Sequence, residues 1–482
     1  YNQYNQPLTV TETAGSTTRT TTTTYDGASE RAKTSAVTVT PAAAGGTALP
    51  VVTTTYDPTT GLPETTSDGT KTLTTGYDTL GRPTSYTDAG GNAATTSYDI
   101  AGRPATVNDG KGAYGYTYDS ATEHRGKLTT LVATQGSTSS TFTATYNPSG
   151  ALATQVSPAG VTSTHAYDNT DNATSLDYSF GGYTFTAQAD IDGKTRTQTS
   201  PISSQSFSYD YAGRLAQTND TLNTGGTATC TIRQYTLDKN SNRTTLVSYP
   251  DDGTNPATGN CTTTTTPATT TSTFDQADRI TNTGYAYDTL GRTTTLPAAD
   301  AQGIGTHATT TGDVTLGYYA NDLVASQTQG TNTATFTLDP TQNRFINTAD
   351  TTTGLTTTSH YAGSSDSPAW SSTSATNWTW NIIGIDGALA GTLDQAGTLT
   401  WNLNNLHGDL TGTTDNTGLH TAATYDSTEY GAPTDATPHP PTSRPPAPQN
   451  PPTHHPAAPP PPRRPPPRPT PRPPHPASPP PP

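Results

Sequence analysis

The chain of 482 residues has no methionine, two cysteines, four tryptophans and seven phenylalanines. Only 29% of it is hydrophobic and 13% is charged. So few large apolar side chains exclude a conventional helix-packed core, and no long stretch keeps an apolar period near 3.6. No segment approaches the ~20 apolar residues of a membrane span. No signal peptide is visible, but the chain opens YNQYNQ without Met, which predicts a fragment or a processed form and leaves secretion undecided. The net charge of −15 and the lack of a Lys/Arg cluster interleaved with aromatics in the body disfavour nucleic acid as a partner. There is no G-x-S-x-G, no H-E-x-x-H and no phosphate loop. His124, His165, His307, His360, His407 and His420 have no ligand-set spacing. No catalytic, cofactor or metal residue is assigned, and an enzyme is not expected.

Threonine, by contrast, makes up close to a quarter of the chain, and there are 25 tyrosines. Both are strand formers that suit a pleated, half-buried surface. The dipeptide Tyr-Asp recurs with its neighbours: Tyr77-Asp78 with Gly81-Arg82, Tyr98-Asp99 with Gly102-Arg103, Tyr209-Asp210 with Gly213-Arg214, and Tyr287-Asp288 with Gly291-Arg292. Looser copies at Tyr25, Tyr56, Tyr118, Tyr146, Tyr167, Phe274, Leu338 and Tyr425 set a period of 20 or 21 residues where they are contiguous. Helix-pair repeats need roughly 33 residues or more, so this period predicts a hairpin-sized β unit. In TTSYDIAGRPATV a Thr/Tyr strand ends at Asp99, whose carboxylate can bond the turn backbone, Gly102 supplies a positive φ, and a strand resumes. Arg103 is placed to pair with the Asp of its own or the next unit, or to remain solvated. For each Asp, turn capping is preferred to acid–base chemistry.

The expected fold is all-β: a hairpin array in a spiralling sheet, followed by a disordered tail. Low hydrophobicity is also the signature of disorder. The small net charge per residue, the register of the tyrosines and the recurring turn glycines favour a folded array instead. The boundaries read as 1–50, a Thr-rich segment of edge strands or loop; 51–379, the repeat array; 380–436, terminal repeats; and 437–482, the tail. The run CTTTTTPATTT at 261–271 reads as loop. Cys230 and Cys261 flank an irregular insertion; bonded, they would close a loop worth ~3–4 kcal/mol in the chain-entropy model. An unpaired state is equally compatible.

The Y-D-x-x-G-R units resemble the YD repeat of bacterial Rhs proteins, of related wall-associated proteins, of the C-type subunits of insecticidal toxin complexes and of animal teneurins. The resemblance spans roughly residues 50–435. Residues 380–435, with His407, Gly408 and Asp409, then Tyr425, Asp426 and Gly431, look like the last units of the Rhs core in high-GC Gram-positive bacteria. The resemblance implies a long sheet wound into a hollow shell that holds a C-terminal toxin, here absent, with His407 packed in the wall. It also implies a secreted or cell-surface location. The core-closing signature of that family is missing, so its self-cleavage site has nothing to map onto.

Residues 438–482 hold 25 of the 42 prolines, five arginines, four histidines and no acidic residue. Proline cannot donate to a sheet and favours extended polyproline II. Two readings stand: a functional stalk or anchor, or the product of a frameshift in GC-rich DNA, which would mean that the family's core is truncated at its C-terminal end. The leading functional reading is a non-enzymatic shell segment of a polymorphic toxin used in contact-dependent competition. The alternative is a secreted cell-wall or carbohydrate-binding protein anchored by the tail, with cell-wall glycans as partners. Trp370, Trp378, Trp380 and Trp401 cluster where that alternative would place a sugar platform, whereas the shell reading assigns them to packing.

Overall fold

The computed structural model describes residues 1–300, 312–419 and 424–432. The chain divides into units at residues 1–448 and 449–482, and the second lies wholly outside the described residues, as does the rest of the expected tail.

Among the described residues there are 34 strands, one short helix at Ala42–Gly45 and a 3-10 turn at Ala298–Asp300. The strands form a 22-stranded and a 12-stranded sheet. In the first sheet each strand pairs antiparallel with its neighbours in sequence, from Thr9–Ala14 to Ala268–Thr271. The second sheet is the same kind of meander, from Ala286–Tyr287 to Leu410–Thr414. The fold is therefore all-β and open-ended. The Thr-rich start is strand, at Thr9–Ala14, Thr17–Tyr25 and Ala32–Thr40. The run at 261–271 is irregular up to the short strand Ala268–Thr271.

A meander has two rows of turns, one along each edge, and here they differ. One row consists of the Tyr-Asp turns. The other, the far edge, consists of turns such as Asp88–Asn92, Asp109–Gly112 and Ser157–Val161. The register slips by one residue at each Tyr-Asp turn, between Gly76 and Tyr77, Ser97 and Tyr98, Ser208 and Tyr209, and Ala286 and Tyr287. A bulge at the same place in every unit bends each hairpin in the same sense and raises its twist. Repeated bending of one sense carries the later strands back over the earlier ones.

The core lies where this happens. Trp380, Ile382, Leu393 and Trp401 of the second sheet bury against Tyr114, Leu131, Ala133 and Phe142 of the first. Leu403 joins Val161, Leu176, Tyr178, Tyr183 and Phe185, and Tyr361 joins Leu73, Tyr86 and Ala94. Paired aromatics at 5.4 Å (Tyr114–Trp380) and 5.5 Å (Phe142–Trp401) concentrate burial in a chain that is otherwise poor in such residues.

Candidate functional site

The repeating element begins with the turn carboxylate. Asp78 Oδ1 accepts the backbone N–H groups of Leu80 and Arg82 at 2.9 Å, while Oδ2 accepts Arg82 Nε at 2.7 Å. Asp99, Asp210 and Asp288 hold Arg103, Arg214 and Arg292 in the same way, at 2.6–2.8 Å from Oδ2 to Nε. Gly81, Gly102, Gly213 and Gly291 have φ of 77°, 79°, 75° and 84°, the left-handed conformation that disfavours a Cβ. Backbone N–H groups lower the pKa of three of these carboxylates: the Arg82, Arg103 and Arg214 amides hold Asp78, Asp99 and Asp210 below the usual carboxylate range. The Thr170 hydroxyl and the Asn172 side chain bring Asp168 to about 2. Capping by three or more donors leaves such an Asp a poor proton acceptor near neutral pH.

The Tyr and Arg of the motif act between units. The Tyr98 hydroxyl donates to the Pro83 carbonyl, immediately after Arg82, at 2.7 Å. The Tyr77, Tyr118 and Tyr209 hydroxyls reach the carbonyls of Pro63, Pro104 and Thr195 at 2.7, 3.0 and 2.7 Å. Arg82 lies over the Tyr98 ring at 4.4 Å and Arg103 over Tyr118 at 4.1 Å. Arg103 also approaches Asp119 at 3.6 Å. Arg82 and Arg103 thus each close their own turn and cover the tyrosine of the next, while Arg214 reaches the next turn through the Asp238 carbonyl at 2.6 Å. The tyrosine repeat spacing contained that ladder, since the hydroxyl acceptor lies 14 or 15 residues back at Tyr77, Tyr98, Tyr118 and Tyr209.

The joint between sheets uses the far-edge turns, which carry no Tyr-Asp signature and so do not stand out in the sequence. Asp88, Asn92 and Asp109 are buried polar groups. Asp109 Oδ2 accepts Trp380 Nε1 at 2.7 Å, and burial raises its pKa against such bonds. The Tyr114 hydroxyl donates to the Asn381 carbonyl at 2.9 Å. Asp88 Oδ2 accepts the Tyr361 N–H at 3.0 Å and lies 3.3 Å from His360 Nδ1. The His360 ring is stacked on Trp370 at 3.7 Å, with Nε2 3.3 Å from Ser372 Oγ. This Asp–His–Ser alignment is packed into the joint, with His360 buried beneath the indole. A cavity of about 290 Å³ lies elsewhere along the joint, lined by Phe142, His165, Tyr178 and Trp401 among others. Among the described residues no three His, Cys, Asp or Glu side chains are grouped to hold a metal ion.

The terminal motif residues fall in two places. His407, Gly408 and Asp409 form an exposed turn around Asn405, whose Oδ1 accepts the His407 and Asp409 N–H groups at 2.9 Å. His407 is therefore a turn-tip residue and is not packed in the wall. Tyr425 is buried, and its N–H bonds the Thr411 carbonyl at 2.7 Å. Asp426 Oδ2 accepts the Ser200 hydroxyl at 2.7 Å and also the Ser203 hydroxyl. Gly431, with φ of 80°, closes the turn Thr428–Ala432, on which Glu429 is buried. Arg233 bridges Glu429 and Asp220, at 2.5 Å to each. Burial opposes ionisation of Glu429, but the bonds from Arg233 and Tyr235 outweigh it and hold the carboxyl low. Cys230 and Cys261 form a disulfide with Cα atoms 5.0 Å apart, fastening the insertion to the strand Thr227–Leu237.

These contacts follow an order. The residues separating joined partners number 303 for Arg19–Asp322, 271 for Asp109–Trp380, 226 for Tyr178–Asn404, 222 for Gln205–Ser427 and 196 for Arg233–Glu429. The second sheet retraces the first in the same direction; the early separations scatter, 272 for Thr17–Thr289, 248 for Ala44–Arg292 and 292 for Pro50–Gln342, and they shorten from Asp109–Trp380 onward.

Residues 77–114 match the profile of the RHS repeat family. The chain carries an RHS repeat over that stretch. A search of curated proteins by sequence finds no match. Among solved structures it resembles TcdB2-TccC3 without its hypervariable C-terminal region, at a TM-score of 0.61 and 13% identity, over 90% of this chain and 24% of that one. It also resembles TcdB2-TccC3, at 0.58 and 13% identity, over 86% of this chain and 24% of that one. At such identity the likeness is one of fold, and the chain spans about a quarter of the length of the solved chains it resembles. No helix among the described residues is long and apolar enough to cross a membrane.

Proposed function

We propose that this RHS-repeat chain is a non-enzymatic wall segment of a hollow shell. In a longer parent protein the shell encloses a C-terminal toxin domain, and the parent is secreted or displayed for contact-dependent competition between bacteria. The carrying observation is the joint, whose separation falls from 271 residues at Asp109–Trp380 to 196 at Arg233–Glu429. A repeat sheet whose circuits shorten in this way is a narrowing coil, which is how a continuous ribbon closes a compartment. The residue chemistry supports a wall: turn Asp and Arg groups neutralise each other, and the buried polar groups bind the two sheets. A disulfide between Cys230 and Cys261 suits an oxidising, extracellular setting.

Glycan recognition through the tryptophans finds no support. Trp380 and Trp401 are 1% and 2% exposed, and the Lys111 ammonium lies over Trp370 and Trp378 at 4.3 and 4.2 Å. A sugar platform needs open ring faces.

The test is protease protection in the parent protein. With an intact wall, polypeptide C-terminal to this segment should resist protease and become sensitive only as the sheets unfold. Degradation of that polypeptide while the wall persists would defeat the enclosure reading.

A further inference from the structure

The longest irregular connection in the first sheet joins the strands Arg243–Tyr249 and Ala268–Thr271. Its residues 251–267 read DDGTNPATGNCTTTTTP, with no Val, Leu, Ile, Phe, Tyr or Trp, and none of them is buried. The segment therefore gives the core no apolar side chain that could hold it in place.

It nevertheless lies on a strand. Thr227–Leu237 pairs with Arg243–Tyr249 only from Ile232 onward. Along residues 227–231 the segment takes the place of the missing strand. The Ala228 N–H donates to the Pro256 carbonyl at 2.8 Å, and the Cys230 N–H donates to Asp251 Oδ2 at 2.7 Å. Asp251 Oδ2 also accepts the Asn260 N–H at 2.6 Å, which closes the segment on itself. A Cβ added to Gly259 would lie 2.9 Å from the Thr229 carbonyl carbon, so backbone rests directly on backbone. Two hydrogen bonds to the strand do not offset the entropy of ordering so long a polar segment. The covalent bond from Cys230 to Cys261 is what keeps it seated.

The two half-cystines are not equivalent. Cys230 is 1% exposed, whereas Cys261 is an exposed residue. A thiolate arriving from solvent therefore meets Cys261 first, and access decides which sulfur is attacked.

We propose that Cys261 is a thiol–disulfide exchange site for a low-molecular-weight thiol, and that exchange there releases residues 251–261 from the strand. The attacking thiolate forms a bond to Cys261 Sγ; the electron pair of the broken bond leaves on Cys230 Sγ, which takes a proton from water. A second thiol then displaces the first from Cys261, so two thiols are oxidised to one disulfide and the protein bond is reduced to two thiols. The Ala228 and Cys230 N–H groups lose their acceptors, and a short strand edge opens while Ile232–Leu237 stays paired. The wall is thus closed in an oxidising exterior and locally open in a thiol-rich compartment. This goes beyond the enclosure reading, which concerns what the wall surrounds.

Hydrogen exchange on the full chain, with and without dithiothreitol, tests it. Under native conditions dithiothreitol should yield two free thiols. The Ala228 and Cys230 amides should then exchange about tenfold faster or more, while the amides of residues 233–237 keep their protection. Proteinase K should cut within residues 251–260 of the reduced chain and leave the oxidised chain whole. Cys261→Ser should show the fast exchange without reductant and no further change with it. Free thiols that appear only when the whole chain unfolds, a segment equally protected after reduction, or protection lost through the first sheet all at once would overturn the proposal. Enclosure of a downstream polypeptide is read in the oxidised protein, so the two readings fail separately.

Discussion

Arg82 belongs to one unit by sequence, but its side chain is shared with the next, and a double-mutant cycle can measure that division. Its bond to Asp78 joins groups 32% and 21% exposed, so the pair contributes about 0.2–1 kcal/mol. Its position 4.4 Å over the Tyr98 ring adds about 0.5–1 kcal/mol at an exposed site. Arg82→Ala should therefore cost about 1–2 kcal/mol. Tyr98→Phe keeps the ring and removes only the hydroxyl bond to Pro83, for about 1 kcal/mol. Tyr98→Leu removes the ring as well. In urea denaturation, the cycle of Arg82→Ala with Tyr98→Leu should show a coupling of about 0.5–1 kcal/mol, and the cycle with Tyr98→Phe much less. Arg82→Ala with Tyr77→Leu, within one unit, should be additive to about 0.3–0.5 kcal/mol. Coupling to Tyr77 without coupling to Tyr98 would refute the reasoning, because the motif would then be a turn and not a link.

The remaining predictions concern the turns and the staple. Asp78, Asp99 and Asp210 are held low by backbone N–H groups, and Asp168 at about 2 by Thr170 and Asn172. Their folded pKa values lie below the unfolded value of about 3.9, so their stabilisation is complete above that pH and is lost as pH falls towards about 2. Thermal melting followed from pH 6 to about pH 2 should therefore show the midpoint falling mainly below pH 4. Gly102→Ala forces a Cβ into φ of 79° and should destabilise by about 1–2 kcal/mol, measured by denaturant midpoint. Reducing the Cys230–Cys261 bond, which links residues 31 apart, should cost about 3–4 kcal/mol in the chain-entropy model and lower the melting temperature.

The sequence carries the unit of this fold more clearly than its winding. Period, strand chemistry and turn glycines are local, so Asp99 to Arg103 can be read from a dozen residues. Tyr98 is harder. Its hydroxyl partner lies one unit back, and only the regular spacing of successive tyrosines hints at it. The joint is harder still, because the pairing of Asp109 with Trp380 depends on curvature accumulated over 271 residues. Small bends at each bulge set that register, and no single residue encodes it. The buried polar groups at Asp88, Asn92 and Asp109 sit in far-edge turns without the Tyr-Asp signature. Their Asp/Asn/Gly composition looks like ordinary turn chemistry. The place of His407 is illegible for a related reason: a residue within a repeat-like string can be at a strand or at a tip, and only the bonds around Asn405 decide which.

The central claim is that the later strands form a second circuit bound to the first. Hydrogen exchange in the Trp380→Ala variant tests it most directly. That change removes a side chain buried to 1% exposure and leaves Asp109 without its indole donor, together about 4–5 kcal/mol or more of local stability. If the sheets are joined, protection should fall together in Asn377–Ile383 and in the distant strand Ala113–Tyr118, while Ser203–Tyr209 keeps its protection. Loss confined to residues around position 380, with Ala113–Tyr118 unchanged, would contradict the account.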